Sequence, residues 1–195
     1  HATQGSLIHI WLSFYFRIFL WYTFCMILHP HKIIPLLDIQ HGQTVLDMGS
    51  SIGFWVKPLS QIVGGSGKII AVDNHAEIIQ RLNHDAQELE LTNVHAITGD
   101  IHDMSKLSVR SGSCDRILIV RMMSVMEPKT TEILEKLSGL LNDKGQIIVI
   151  DGIHYRDELI SFLSEQNSLI FWEIDEVEQR TEGHFFGMVI ENIKE

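Results

Sequence analysis

The chain has 195 residues, 45% of them hydrophobic, and a formal net charge of −10. That length suits one domain with a proper apolar core and no need of disulfides or metals, while 25 acids against 15 Lys and Arg exclude the basic face that a nucleic-acid partner requires. Cys25 and Cys114, the two cysteines, stand at no metal-ligand spacing and suit a reducing, cytoplasmic compartment.

Residues 7–28, "LIHIWLSFYFRIFLWYTFCMIL", hold eight of the sixteen aromatic residues. Their number matches a membrane span of about 20 residues, but Arg17 at the middle opposes spanning. His9, Ser13 and Arg17 recur every four positions, one polar stripe on a helix that is otherwise apolar, which suits an interfacial helix equally. The expected hydrophobic helix therefore either covers the core or a site mouth in the fold, or contacts a membrane. A secretory signal is disfavoured by the long apolar region and the lack of a small-residue cleavage site. Pro30 and Pro35 in "HPHKIIP" predict that the helix ends there. Residues 1–38 thus read as an aromatic helix with its linker, serving as lid or membrane contact, and residues 39–195 as the core domain.

From residue 39 strands and helices alternate. "TVLDM" (44–48), "KIIAVD" (68–73), "VHAITGD" (94–100), "RILIVR" (116–121) and "QIIVIDG" (146–152) read as strands, with helices over 53–63, 76–91 and 130–141 and one more over 156–167. Short strands separated by helices predict βαβ units and a parallel sheet. At the end, "LIFWEIDEVEQ" (169–179) and "HFFGMVIENIK" (184–194) read as consecutive strands around "RTEG", an antiparallel hairpin. The expected fold is α/β: a seven-stranded, mostly parallel, doubly wound sheet of Rossmann-like type with a C-terminal antiparallel hairpin.

In such sheets the ligand sits beyond the carboxyl ends of the strands, closest to the first strand-to-helix turn. That turn reads "DMGSSIG", with Gly49 and Gly53 four apart and no third glycine where a dinucleotide fingerprint needs one. Asp47, two residues before Gly49, would repel a pyrophosphate but attract an ammonium or sulfonium. The chemistry points to a ligand that is cationic near this loop.

"VLDMGSSIG" resembles the first motif of class I S-adenosylmethionine-dependent methyltransferases, usually V-L-D-x-G-x-G-x-G, and the resemblance covers residues 40–195. It implies S-adenosyl-L-methionine as cofactor. Asp73 in "AVDN", 26 residues after Asp47, takes the place of the acid that binds both ribose hydroxyls. Gly99 and Asp100 resemble the motif whose acid and next residue, here Ile101, bracket adenine. "CDRILIVRMM" and "LLNDKGQIIVID" resemble the fourth and fifth strands with their flanks. The implied cofactor-binding residues are Asp47, Gly49, Ser50, Ser51, Gly53, Asp73, Asn74, Asp100, Ile101 and Val120, with no metal. Two positions depart from the family pattern: Ser51 replaces a glycine, and Asn74 stands where an apolar neighbour of adenine is common.

Methyl transfer is an in-line displacement that needs alignment and desolvation, and a base only if the acceptor must lose a proton. After the fourth strand comes "VRMMSVMEP", without the Asn/Asp-Pro-Pro-Tyr motif resembling that of amide and nucleobase methylating members. Arg121 is a candidate for holding an anionic group of the substrate, or it pairs with Glu127 or Asp151. Met122, Met123 and Met126 form either an apolar substrate wall or core filling. His154, after the fifth strand, is the candidate base, or a solvated loop residue; the remaining histidines show no metal spacing. The leading expectation is a methyltransferase for a small apolar or lipid-like acceptor. The alternatives are a non-catalytic scaffold of the same fold or, less in keeping with Asp47, a nicotinamide oxidoreductase.

Overall fold

The computed structural model describes residues 28–166 and 169–192, so the apolar stretch expected to be helical at 7–28 lies outside them except for Leu28. The five apolar runs of the core form β1 (Thr44–Met48), β2 (Lys68–Asp73), β3 (Val94–Thr98), β4 (Cys114–Val120) and β5 (Leu141–Gly152). Two later runs form β6 (Leu169–Glu173) and β7 (Phe185–Asn192). The order across the sheet is β3-β2-β1-β4-β5-β7-β6, parallel as far as β5 and antiparallel at β5–β7 and β7–β6. Parallel strands are buried on both faces, which is why their sequences are continuous apolar runs.

Helices α1 (Pro30–Ile33), α2 (Val56–Val63), α3 (Ala76–Glu88) and α7 (Asp175–Arg180) contribute to the core on one face of the sheet; α4 (Met123–Met126), α5 (Thr130–Ser138) and α6 (Arg156–Ser164) contribute on the other. Successive strand residues alternate between the two cores: Val45, Ile69 and Leu118 pack on the first, Leu46, Ile70 and Ile117 on the second. Each such side chain, fully buried, contributes about 1.5–3 kcal/mol. Among the described residues no helix is long and apolar enough to cross a membrane.

The chain is non-helical at Leu28 and His29, Pro30 opens α1, where a missing N–H costs no intrahelical bond, and His29 caps that helix by accepting the His31 N–H at 3.4 Å; the helix expected to end there lies outside the described residues. Two expectations are corrected. Strand β5 begins at Leu141, five residues early, because its first residue pairs with Cys114 before a register shift brings Gln146 opposite Arg116. Residues 175–179, read as the end of a strand, are helical. Asp175 and Glu176 suit the positive end of α7, and buried Val177 packs over Gly187, where a Cβ would lie 2.7 Å from Val177 Cγ2. The antiparallel pair β6–β7 is therefore joined through a helix, not by a tight turn at "RTEG".

Candidate active site

All parallel strands end at one edge of the sheet, so the segments following β1, β2, β3 and β4 meet there. They enclose a cavity of about 740 Å³. Asp47, Gly49, Ser50, Ser51, Asp73, Asn74, Asp100, Ile101, Val120 and Arg121 all line it. Gly53 and His154 do not. Gly53 lies against Leu82 of α3, and His154 is exposed beyond β5, with its ring 4.1 Å from that of Tyr155.

The β1 loop is held from below and from the side. The N–H groups of Gly49 and Ser50 donate to the Val72 carbonyl at 2.8 and 2.9 Å, and the Ser51 N–H donates to Asp73 Oδ2 at 2.9 Å. Gly49 has φ +79°, and a Cβ there would come 2.5 Å from Met122 Sδ, so glycine lets the β4 loop close against the β1 loop. Ser51 has φ +48°, the left-handed region that costs a non-glycine residue about 1–2 kcal/mol. Ser51→Gly should therefore stabilise the fold by about 1 kcal/mol, after allowing for the freer unfolded chain. Urea midpoints of the two proteins would measure it, and an unchanged or lower midpoint would show that the serine hydroxyl compensates the strain.

Two buried polar atoms here lack a partner among the described residues, Asp47 Oδ2 and Ser50 Oγ. Burial first, then the charge of Asp73, pushes the Asp47 carboxyl up to about 7. Asp73 goes the other way. Burial raises it, but the N–H groups of His75 (3.0 Å to Oδ1) and Ser51, with the His75 ring at 2.9 Å, outweigh burial and hold it below the ordinary carboxylate range. At the next strand end, Asp100 Oδ1 accepts the His102 N–H at 2.9 Å.

Arg121 also takes a left-handed backbone, φ +58°, and donates its N–H to the Ile150 carbonyl at 2.8 Å. Behind it Asp151 is buried and accepts N–H bonds from Met123 (2.9 Å) and Gly152 (2.7 Å), which anchors the turn into α4. Met122 lines the cavity, whereas Met123 and Met126 are core residues with no exposure. Sequence reasoning did not single out Leu28, His29, Phe54, His75, His102 and Val125, which also line the cavity. For His75 and His102 a signal was present: each stands two residues after a strand-end acid.

A family model described as a methyltransferase domain matches residues 39–187. The chain belongs to this family. Its domain is of the class I S-adenosylmethionine-dependent type, with S-adenosylmethionine as cofactor. Among curated proteins it is similar to a protein-L-isoaspartate O-methyltransferase of Methanococcus maripaludis, 29% identical over 120 residues, 62% of this chain and 52% of that protein. It is similar to an arsenite methyltransferase of Aquipseudomonas alcaligenes as well, 29% identical over 142 residues, 71% of this chain and 39% of that protein. The chain spans about half the length, or less, of these relatives. Among solved structures a SAM-dependent methyltransferase from Aquifex aeolicus shares the fold at a TM-score of 0.67 and 22% identity, over 83% of this chain and 88% of that one. A geranyl diphosphate methyltransferase in complex with SAM does so at 0.62 and 15% identity, over 84% and 83%.

Proposed function

We propose that this methyltransferase transfers the methyl group of S-adenosylmethionine to a small apolar or lipid-like acceptor carrying an anionic group. The observation that carries the acceptor class is the cavity's rim. Ile52, Phe54 and Val125 all line the cavity and are exposed, an apolar border to its mouth, and Arg121 lines it as the cation for an anionic group.

The residues present fit the cofactor. Asp73 would take the ribose hydroxyls, and Asp100 with Ile101 and Asn74 would border the adenine. The unpartnered Asp47 Oδ2 and Ser50 Oγ await polar or cationic groups of the methionine end, beside Gly49, Ser51 and Val120. Bound there, the cofactor supplies a methyl group on a sulfonium, whose bonding electron pair stays with sulfur as the acceptor's lone pair forms the new bond. The chain aligns the two partners and excludes water. A base is needed only for an acceptor that must lose a proton, and His154 would serve one only if the acceptor reached past β5.

Other acceptors named by the relatives fit less well. Arsenite calls for soft thiolate ligands, but the one cysteine among the described residues, Cys114, is fully buried at the opposite end of β4 from Val120, about 20 Å along the strand, and burial raises its thiol pKa, which suppresses the thiolate. A nucleic-acid acceptor is disfavoured by the net charge of −10.

Leu28 and His29 line the cavity, with the His29 ring 5.7 Å from that of Phe54. We take residues 1–38 as the acceptor lid, in contact with the membrane where the acceptor is a lipid. A cofactor-turnover screen against lipid extracts, quinone precursors and soluble metabolites is the test of the acceptor class. Removal of residues 1–27 should then abolish turnover on the apolar acceptor and leave cofactor affinity within about two-fold. Full turnover by the shortened chain would refute the lid.

A further inference from the structure

His102 and Val125 stand on separate segments of the cavity wall. His102 follows β3 and Val125 lies in α4, after β4. In the sheet β3 and β4 are three places apart, with β2 and β1 between them, a separation of about 14 Å. Yet His102 Nε2 lies 2.8 Å from the Val125 carbonyl oxygen. The two segments thus converge across the ends of the strands that carry Asp73 and Asp47.

The pairing has a local cause at both ends. A carbonyl can only accept, so the ring donates an Nε2–H. The Val125 carbonyl is at the end of a short helix, where backbone acceptors are left without intrahelical donors. The residue three positions on is Pro128, which has no N–H, and the Lys129 N–H goes to the Met126 carbonyl at 2.9 Å. On the other side the His102 N–H is donated to Asp100 Oδ1, which fixes the backbone from which the ring reaches. One residue therefore ties the strand-end acid of β3 to the segment after β4.

We propose that the His102 imidazole is a clasp, a positioning residue that closes the cavity between these two segments and slows departure of the S-adenosyl nucleoside. This rests on the cofactor assignment above. The clasp connects Asp100 and Ile101, on the adenine side, to the segment that carries Arg121 and Met122, on the acceptor side. Departure of the nucleoside past this wall requires the bond to open, so His102 acts on the exit rate of the demethylated product and much less on the rate of entry.

The experiment is stopped-flow dissociation of S-adenosylhomocysteine, followed by the fluorescence of Trp55, which lines the cavity. His102→Ala should release it about 3- to 10-fold faster, the worth of one hydrogen bond, with the association rate close to wild type. His102→Gln, whose amide N–H can reach the same carbonyl, should bring release back to near the wild-type rate, a recovery that a general loss of stability would not produce. Release from His102→Ala at the wild-type rate, or from His102→Gln as fast as from His102→Ala, would overturn the clasp. Failure of the wild-type protein to bind S-adenosylhomocysteine at all would instead overturn the cofactor assignment.

Discussion

Asp73→Ala is expected to weaken S-adenosylhomocysteine binding at least about 100-fold in isothermal calorimetry. The side chain is held below the ordinary carboxylate range by the N–H groups of His75 and Ser51, with the His75 ring also at hand, so it is fully ionised at neutral pH. A hydrogen bond to a charged acceptor contributes about 1.5–3 kcal/mol, and a ribose diol makes two. The substitution also frees the Ser51 N–H, so the β1 loop, already strained at φ +48°, loses one of its three bonds to β2 and keeps those of Gly49 and Ser50 to the Val72 carbonyl. Both effects act on the cofactor and little on the core, because these bonds lie near solvent and water can replace the lost acceptor. The melting temperature should fall by only a few degrees. Asp73→Asn keeps one carbonyl oxygen and should lie between the two proteins. Wild-type affinity in Asp73→Ala would remove Asp73 from the site.

The second expectation concerns pH. With Asp47 raised to about 7 in the free protein, a cation bound against it must draw out a proton below that pH. Affinity for S-adenosylmethionine should then climb with pH toward about 7 and level off above it. Calorimetry in two buffers of different ionisation enthalpy at pH 6 should show close to one proton released per cofactor bound, and Asp47→Asn should show neither the release nor the slope. S-adenosylhomocysteine keeps the ammonium but not the sulfonium. Release with both ligands assigns Asp47 to the ammonium, and release with S-adenosylmethionine alone assigns it to the sulfonium. The same group sets a folding trend of defined sign. Its pKa is about 7 folded against 3.8 unfolded, so the folded state holds the extra proton between those values and stability falls as pH rises from about 4 to about 7. The whole span amounts to an order of 4 kcal/mol. Asp47→Asn should lack this fall, which urea unfolding of both proteins at pH 5 and pH 8 would read as a difference of differences. Parallel pH trends in the two proteins would mean that Asp47 is ionised throughout.

The strands were legible because a parallel strand covered on both faces has to be apolar without interruption, and "TVLDM" and "KIIAVD" became β1 and β2 with unchanged bounds. Asp47 was legible from its charge beside the glycine turn, and Asp73 and Asp100 from the family resemblance; all three line the cavity. What escaped depends on contacts far apart in sequence. Segment 175–179 fits either a strand or a helix by pattern. The slot over Gly187, which belongs to β7, suits buried Val177 of the helix that forms. The glycine spacing marked the β1 loop, but only the backbone reveals that Ser51 itself takes the left-handed conformation. The reach of His102 to a carbonyl 23 residues away depends on how the segments after β3 and β4 converge, which no local pattern encodes. His154 follows a strand end like the others, but β5 lies two places from β1, and the cavity does not extend that far.

The position of Cys114 has a practical use. With no exposure and a thiol pushed up by burial, it is inert to alkylating reagents in the native fold. Any rapid reaction with a maleimide therefore reports on Cys25, the other cysteine, within the aromatic segment. The natural sequence thus takes a fluorophore at one chosen place without mutation. Its emission and labelling rate, followed as lipid vesicles or cofactor are added, would report where that segment goes.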